Sequence, residues 1–176
     1  MADPYADIPG SRQSTQGSTL DYVGRTVDVM AFQGVRGPGT LATLDHALSA
    51  PSEGGLICTG IQKLAQRWLI EFLTSRGSML FLADRGCDFL SAARTGRLRT
   101  NVDVRQVFAV AAAQVKRNFL AEDEGLDVPD DELLAEATLI SSSIGDGRIA
   151  LQVNVVSAAG DTRQVILPID TALKRT

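Results

Sequence analysis

The sequence predicts an α+β fold: two main helices packed on a C-terminal antiparallel three-stranded sheet, with an extended N-terminal arm. Three observations predict it. Two long segments, 59–73 and 101–119, repeat apolar residues at three- and four-residue intervals, the signature of amphipathic helices. Three β-type segments close the chain, and the middle one alternates apolar and polar residues. The turns Ile144-Gly145-Asp146-Gly147 and Ala159-Gly160-Asp161 separate those segments, which makes the strands an antiparallel meander.

The chain divides at residue 55 into an arm, 1–55, and a folded domain, 56–176. Residues 1–20 are rich in Ser, Gly, Gln and Pro and show no apolar periodicity, as in an arm that orders on a partner. Thr26 to Phe32 places Val27, Val29 and Ala31 in alternation and predicts a short strand. Leu41, Leu44 and Leu48 at helical spacing predict a short helix from Thr40 to Leu48, closed by Pro51-Ser52-Glu53-Gly54-Gly55.

In the domain, Thr59 is the expected cap of a helix whose inner face is Ile61, Leu64, Ala65, Trp68, Leu69, Phe72 and Leu73. Gln62, Lys63, Gln66, Arg67 and Glu71 fall on its other face, and Gly77 supplies the stop. Ser78 to Leu82, five residues with four large apolar side chains, reads as a buried strand. Asp84-Arg85-Gly86 then turns the chain into one or two helical turns from Cys87 to Leu90. Asn101 is the expected cap of the second helix, with Val104, Val107, Phe108, Ala111, Val115 and Phe119 inward. Residues 122–132 carry seven acids in eleven positions and read as a solvated loop, with acids opening a helical turn after Pro129. Strands follow at about 134–142, 148–157 and 163–168, with Ile149, Leu151, Val153 and Val155 on one face of the middle one.

Composition narrows the function. With 176 residues, 44% hydrophobic and 22% charged, the chain suits one globular domain plus an extension, and aromatics at 5% predict a mainly aliphatic core. No run of about 18 apolar residues predicts a membrane helix, and no basic-then-apolar leader is seen, so synthesis and retention in a cytoplasm are expected. Two cysteines cannot make a disulfide framework and are expected to be reduced. The net charge of −4 is uneven: residues 1–60 sum to −3, 61–120 to +6 and 121–176 to −7. Fourteen of the 17 basic residues are Arg, which fits a protein packed against others and fits equally a genome biased toward Arg codons.

No constellation of chemical groups stands out. His46 is the single histidine, so a His-based metal site or nucleophilic triad has little to build on. Apolar neighbours make Cys58 a packing residue. The acidic run lacks the ligand order of a calcium loop. Glu71, Asp84 and Asp88 could be imagined as a glycosidase pair, but 21 acids make such pairs unspecific. The Gly-rich pieces fit neither a Walker loop nor a dinucleotide fingerprint. Arg94, Arg97, Arg99 and Arg105 form a basic cluster, without the interleaved aromatics of a single-strand nucleic-acid site. No cofactor, metal, nucleic acid or membrane is expected as a ligand.

The run from Gly60 to Leu90, GIQKLAQRWLIEFLTSRGSMLFLADRGCDFL, resembles the baseplate wedge family of contractile phage tails, which has a counterpart in type VI secretion baseplates. Leu73-Thr74-Ser75-Arg76-Gly77-Ser78 stands at the family's Leu-Thr-x-x-Gly turn, and Asp84-Arg85-Gly86-Cys87 at its Arg-Gly loop. The order of elements extends the resemblance over about 57–170, while Arg117-Asn118-Phe119-Leu120 replaces the family's Glu-Pro-Arg. The resemblance implies a structural virion protein of the tail baseplate, assembled in the host cytoplasm. It implies a ring within a sixfold assembly, touching tail sheath, other wedge proteins and tube or hub proteins. It also implies that an edge of the terminal sheet joins strands with the sheath. The hairpin 148–168, together with the 25–32 strand, is then the expected sheath-facing surface, and Arg94, Arg97 and Arg99 a second contact. The residues assigned to the sheath-facing surface are Ile149, Leu151, Val153, Val155, Gln164, Val165 and Leu167. No catalytic residue is expected. The competing readings are a small peptidoglycan-acting hydrolase, which needs two carboxylates with separated pKa values, and a nucleic-acid module, which needs steep salt dependence.

Overall fold

The computed structural model describes residues 28–29 and 57–171. The elements run β1 (Asp28–Val29), β2 (Ile57–Cys58), α1 (Gly60–Leu73), α2 (Phe89–Arg94), α3 (Asn101–Asp123), β3 (Leu134–Gly145), β4 (Arg148–Ser157) and β5 (Thr162–Asp170). This is the α+β arrangement expected, with helices first and an antiparallel sheet ordered β3-β4-β5 at the C-terminus. The expected helix at 40–48 and His46 lie outside the described residues.

Helix α1 forms because its apolar stripe has a sheet to cover. Ile61, Leu64, Ala65, Trp68, Leu69 and Phe72 are buried. Thr59 occupies the cap position but its side chain makes no capping bond. The Glu132 carboxylate, 72 positions away, takes that role by accepting from the Gly60 N–H and from Lys63 Nζ. Glu132 is therefore buried, not part of a solvated loop, because the positive end of α1 and a lysine compensate its charge.

Helix α3 starts at Asn101 itself, so its cap lies one residue before the expected one. Thr100 is the cap, and its hydroxyl accepts from the Asp103 N–H while Asp103 accepts from the Thr100 N–H, a reciprocal capping box. The helix runs for 23 residues, about 35 Å, and buries Val104, Phe108, Ala111, Val115 and Phe119.

The core is more aromatic on the helix side than composition suggests. Trp68 stacks on Phe72 at 4.8 Å between centroids, and Phe72 also meets Phe89 at 5.0 Å and Phe108 at 5.5 Å. The sheet side is aliphatic, as expected: Ile149, Leu151, Val153 and Val155 are fully buried, with Val165, Leu167 and Ile169 beside them. The β3–β4 turn has Asp146 at φ 49° and Gly147 at φ 73°, the left-handed pair that matches hairpin twist.

Of the expected 26–32 strand the described residues are Asp28 and Val29, which pair antiparallel with Cys58 and Ile57 in a two-stranded sheet separate from β3-β4-β5. Gln66 Nε2 holds this strand to α1 by donating to Asp28 Oδ2 at 2.8 Å. Residues 78–82 are not a buried strand: they form turns at the tip of a loop, and Leu80 and Phe81 stand in solvent. The reason is a parallel bridge between Ser75 and Cys87 that closes the loop at its neck, leaving the intervening residues no strand to pair with.

Candidate assembly interface

The terminal sheet has two edges, and they differ. At one end of β5 the Ser157 N–H donates to Asp161 O at 2.9 Å, and at the other the Thr171 N–H donates to Gly147 O at 2.8 Å. Both bonds bring odd-numbered residues of the β5 side toward β4, and the β4–β5 register contains no bulge. Alternation along a strand therefore turns the N–H and C=O groups of Thr162, Gln164, Ile166 and Asp170 outward. Pro168 falls in the same outward set, where its missing N–H costs no ladder bond. Among the described residues no strand pairs with this edge.

The β3 edge is a poorer template. Its register with β4 shifts between Leu134 and Glu136 and again between Leu139 and Ser141, which twists and interrupts the row of free groups. Helix α3 lies against this strand: Lys116 Nζ donates to Ala135 O at 2.7 Å, and Ser142 Oγ to Asn101 Oδ1 at 3.3 Å. Strand addition to this domain is thus favoured at β5.

The residues expected to face a partner are divided by this geometry. Ile149, Leu151, Val153, Val155, Val165 and Leu167 point into the protein's own core, so their side chains are not a contact surface. The physical reason is that α1 and α3 need the one apolar face the sheet has. Strand β4 is also central, with both rows of backbone groups paired, so it has no edge to offer. Gln164 is exposed on the outer face, 3.5 Å from Asn154 Oδ1 through its Nε2. Ile166 and Pro168 were missed, although a proline inside a β-pattern is itself a sign of an edge strand.

Arg94, Arg97 and Arg99 are exposed around the α2–α3 turn. Arg99 is partly used locally, its Nε donating to Gly96 O at 3.2 Å. At the start of β5, Arg163 is half-buried and burial lowers its pKa from the usual arginine value.

The imagined acidic pair is accounted for by structure. Glu71 is buried and saturated: Oε1 accepts from the Gly86 N–H at 2.7 Å and Asn118 Nδ2 at 2.6 Å, and Oε2 from Arg85 Nε at 2.9 Å. Asp84 is exposed and pairs with Arg76 at 3.6 Å, and Asp88 is the residue before α2. Burial pushes the Cys58 thiol up to about 12 and the Cys87 thiol up to about 11, opposite to what a nucleophile needs. Among the described residues no group of three or more His, Cys, Asp or Glu could hold a metal ion. Among them no helix is long and apolar enough to cross a membrane.

What the described residues define is an α+β domain with one regular, open sheet edge. No protein-family model matches the chain, and neither does any curated protein or solved structure.

Proposed function

We propose that this protein is a structural, non-enzymatic component of a contractile-tail baseplate, acting as a wedge component and platform on which the sheath starts. The observation that carries the reading is the nine-residue β5 edge, unbulged and unpaired among the described residues. An incoming strand would complete the ladder at Thr162, Gln164 and Ile166 and gain backbone hydrogen bonds without disturbing the core. Its other support is the resemblance of residues 60–90 to baseplate wedge proteins. The partners are then the tail sheath, further wedge proteins and tube or hub proteins, in a virion ring with sixfold symmetry built from heterologous contacts.

Ile166→Pro tests this. It removes one outward N–H and copies what Pro168 already does two positions on. The isolated variant should keep its fold by circular dichroism, while particles carrying it should lose sheath. Mass spectrometry of wild-type particles should find the chain at a fixed, low ratio to sheath. Normal sheath on Ile166→Pro particles, or absence of the chain from wild-type particles, would refute the reading.

A further inference from the structure

Strand β5 carries one residue that its own fold does not use. Its odd-numbered side chains face the helices: Val165, Leu167 and Ile169 are buried, and Arg163 stands in the same row, opposite the fully buried Val155. A cation thus begins an otherwise aliphatic row. Among the described residues four basic side chains are partly buried, and three of them face carboxylates. Lys63 meets Glu132, Arg67 meets Glu122 and Asp123, and Arg85 meets Glu71 and Glu122. Arg163 is the fourth, and among the described residues no carboxylate or carbonyl pairs with it. Burial acts on it with no counter-charge, which is why its pKa is lowered.

The open edge gives this cation a use. Odd-numbered residues of β5 bond toward β4, so a strand added antiparallel to β5 meets Arg163 in a non-hydrogen-bonded pair. That is the close kind of pair, with Cα atoms about 4.5 Å apart and both side chains on the helix face. A charge turned inward on an edge strand rejects any strand that sets an apolar or basic residue opposite it. It admits one that brings a carboxylate, whose bonds to the guanidinium replace the water that burial removed. We propose that the strand received by β5 comes from another protein and sets an Asp or Glu opposite Arg163 and apolar residues opposite Val165 and Leu167, an inference that rests on β5 as the receiving edge. Read from its N-terminus, that strand runs apolar, any, apolar, any, acid.

This chain does not supply such a strand. In residues 1–56 no acid has large apolar side chains at both the second and the fourth position before it, and residues 172–176 contain no acid. Among the described residues the order occurs at 80–84 and 126–130. The first is bent into turns closed by the Gly77 N–H bond to Ala83 O, and the second sets Pro129 where Gln164 needs an N–H. The β5 of a second copy fails by register: antiparallel self-pairing sets Arg163 opposite itself, Val165, Leu167 or Ile169, none of them acidic.

The test places p-benzoylphenylalanine at position 164 of the full chain in producing cells, with the same probe at position 138 on the β3 edge as control. Irradiation should give an adduct specific to position 164 with one segment of another protein, and mass spectrometry should read the predicted order in it. Arg163→Glu should lower the adduct at least about tenfold, as should replacing the partner's acid by Lys, and the two together should restore it to within about threefold of wild type. Arg163→Ile should also lower the adduct about tenfold, while the melting temperature of the isolated full chain holds or rises because no ion pair is lost. A stronger adduct in Arg163→Ile would make the guanidinium a guard rather than a selector and overturn the proposal. So would a segment without the acid, failure of the paired reversal, or an adduct with a second copy, and each of these leaves β5 as the receiving edge. An adduct at 164 no stronger than at 138 removes that edge and the proposal with it. An acid-bearing segment from a protein foreign to contractile particles keeps the proposal and sinks the baseplate reading.

Discussion

Glu71 is the residue whose removal most directly tests how the α1–α2 loop is built. Glu71→Ala deletes three accepted hydrogen bonds in one step: Gly86 N–H at 2.7 Å, Asn118 Nδ2 at 2.6 Å and Arg85 Nε at 2.9 Å. Asn118 keeps weaker contacts with the carbonyls of Asp84 and Gly86, and Arg85 keeps Glu122 at 2.8 Å. The Gly86 amide has no such replacement and is left buried without an acceptor. Breaking a buried charged pair costs about 3–5 kcal/mol, and because Arg85 is partly exposed and retains a carboxylate the lower end applies, about 3 kcal/mol. That lowers the melting temperature by about 10 °C for a domain of this size. Glu71→Gln keeps Oε1 for Gly86 and Asn118 but turns an amide N–H toward the Arg85 donor, so about 1–2 kcal/mol should be lost. Urea titration measures both losses, and amide exchange at Gly86 reports the neck itself. Equal losses for Ala and Gln, or unchanged Gly86 protection in Glu71→Ala, would refute the account.

Two further predictions follow from titration. With thiol pKa values near 12 and 11, less than about one part in a hundred of either cysteine is thiolate at pH 8. Ellman's reagent should leave the native protein unreacted for minutes and count two thiols at once in guanidinium; a fast native thiol would contradict the burial. For Glu122, burial acts to raise the pKa, but the hydrogen bond from Arg85 and the charge of Arg67 prevail and the pKa is lowered. A lowered folded-state pKa gives stability that is present above the ordinary Glu value and lost as pH falls through the folded-state value. Glu122 is partly exposed, so this contribution is below about 1 kcal/mol. Glu122→Gln should flatten the acid limb of a stability–pH curve by that amount, and an unchanged limb would contradict it.

Part of the uneven charge has an internal explanation. Lys63 meets Glu132, Arg67 meets Glu122 and Asp123, and Arg85 meets Glu71 and Glu122. The basic middle of the chain is thus partly neutralised by the acidic run that follows it. Arg67 also lies over the Phe119 ring at 4.6 Å, which adds packing to charge. Among the described residues, exposed charge outside these pairs includes Arg94, Arg97 and Arg105 near the α2–α3 turn.

The sequence by itself determined the local elements. Three- and four-residue apolar spacing placed α1 and α3, strict alternation placed β4 from Arg148 to Ser157, and Asp146-Gly147 fixed the first hairpin. Each of these signals is carried by residues near one another in the chain, so it can be read without knowing the fold. Tertiary structure decided whatever depended on distant groups. Glu132 could be assigned to α1 only once 72 residues of chain had folded back, and Glu71 to the loop neck only once Asn118 arrived on α3. The same holds for Ser78–Leu82, whose apolar run spells a buried strand but has no strand beside it. The apolar side chains expected on the partner face, unlike Gln164, were drawn inward because burying the sheet's one apolar face under α1 and α3 outweighs presenting it, at about 25 cal/mol for each Å² covered. What the terminal sheet then leaves open is the backbone edge of β5, a feature that no side-chain pattern encodes except the proline at 168.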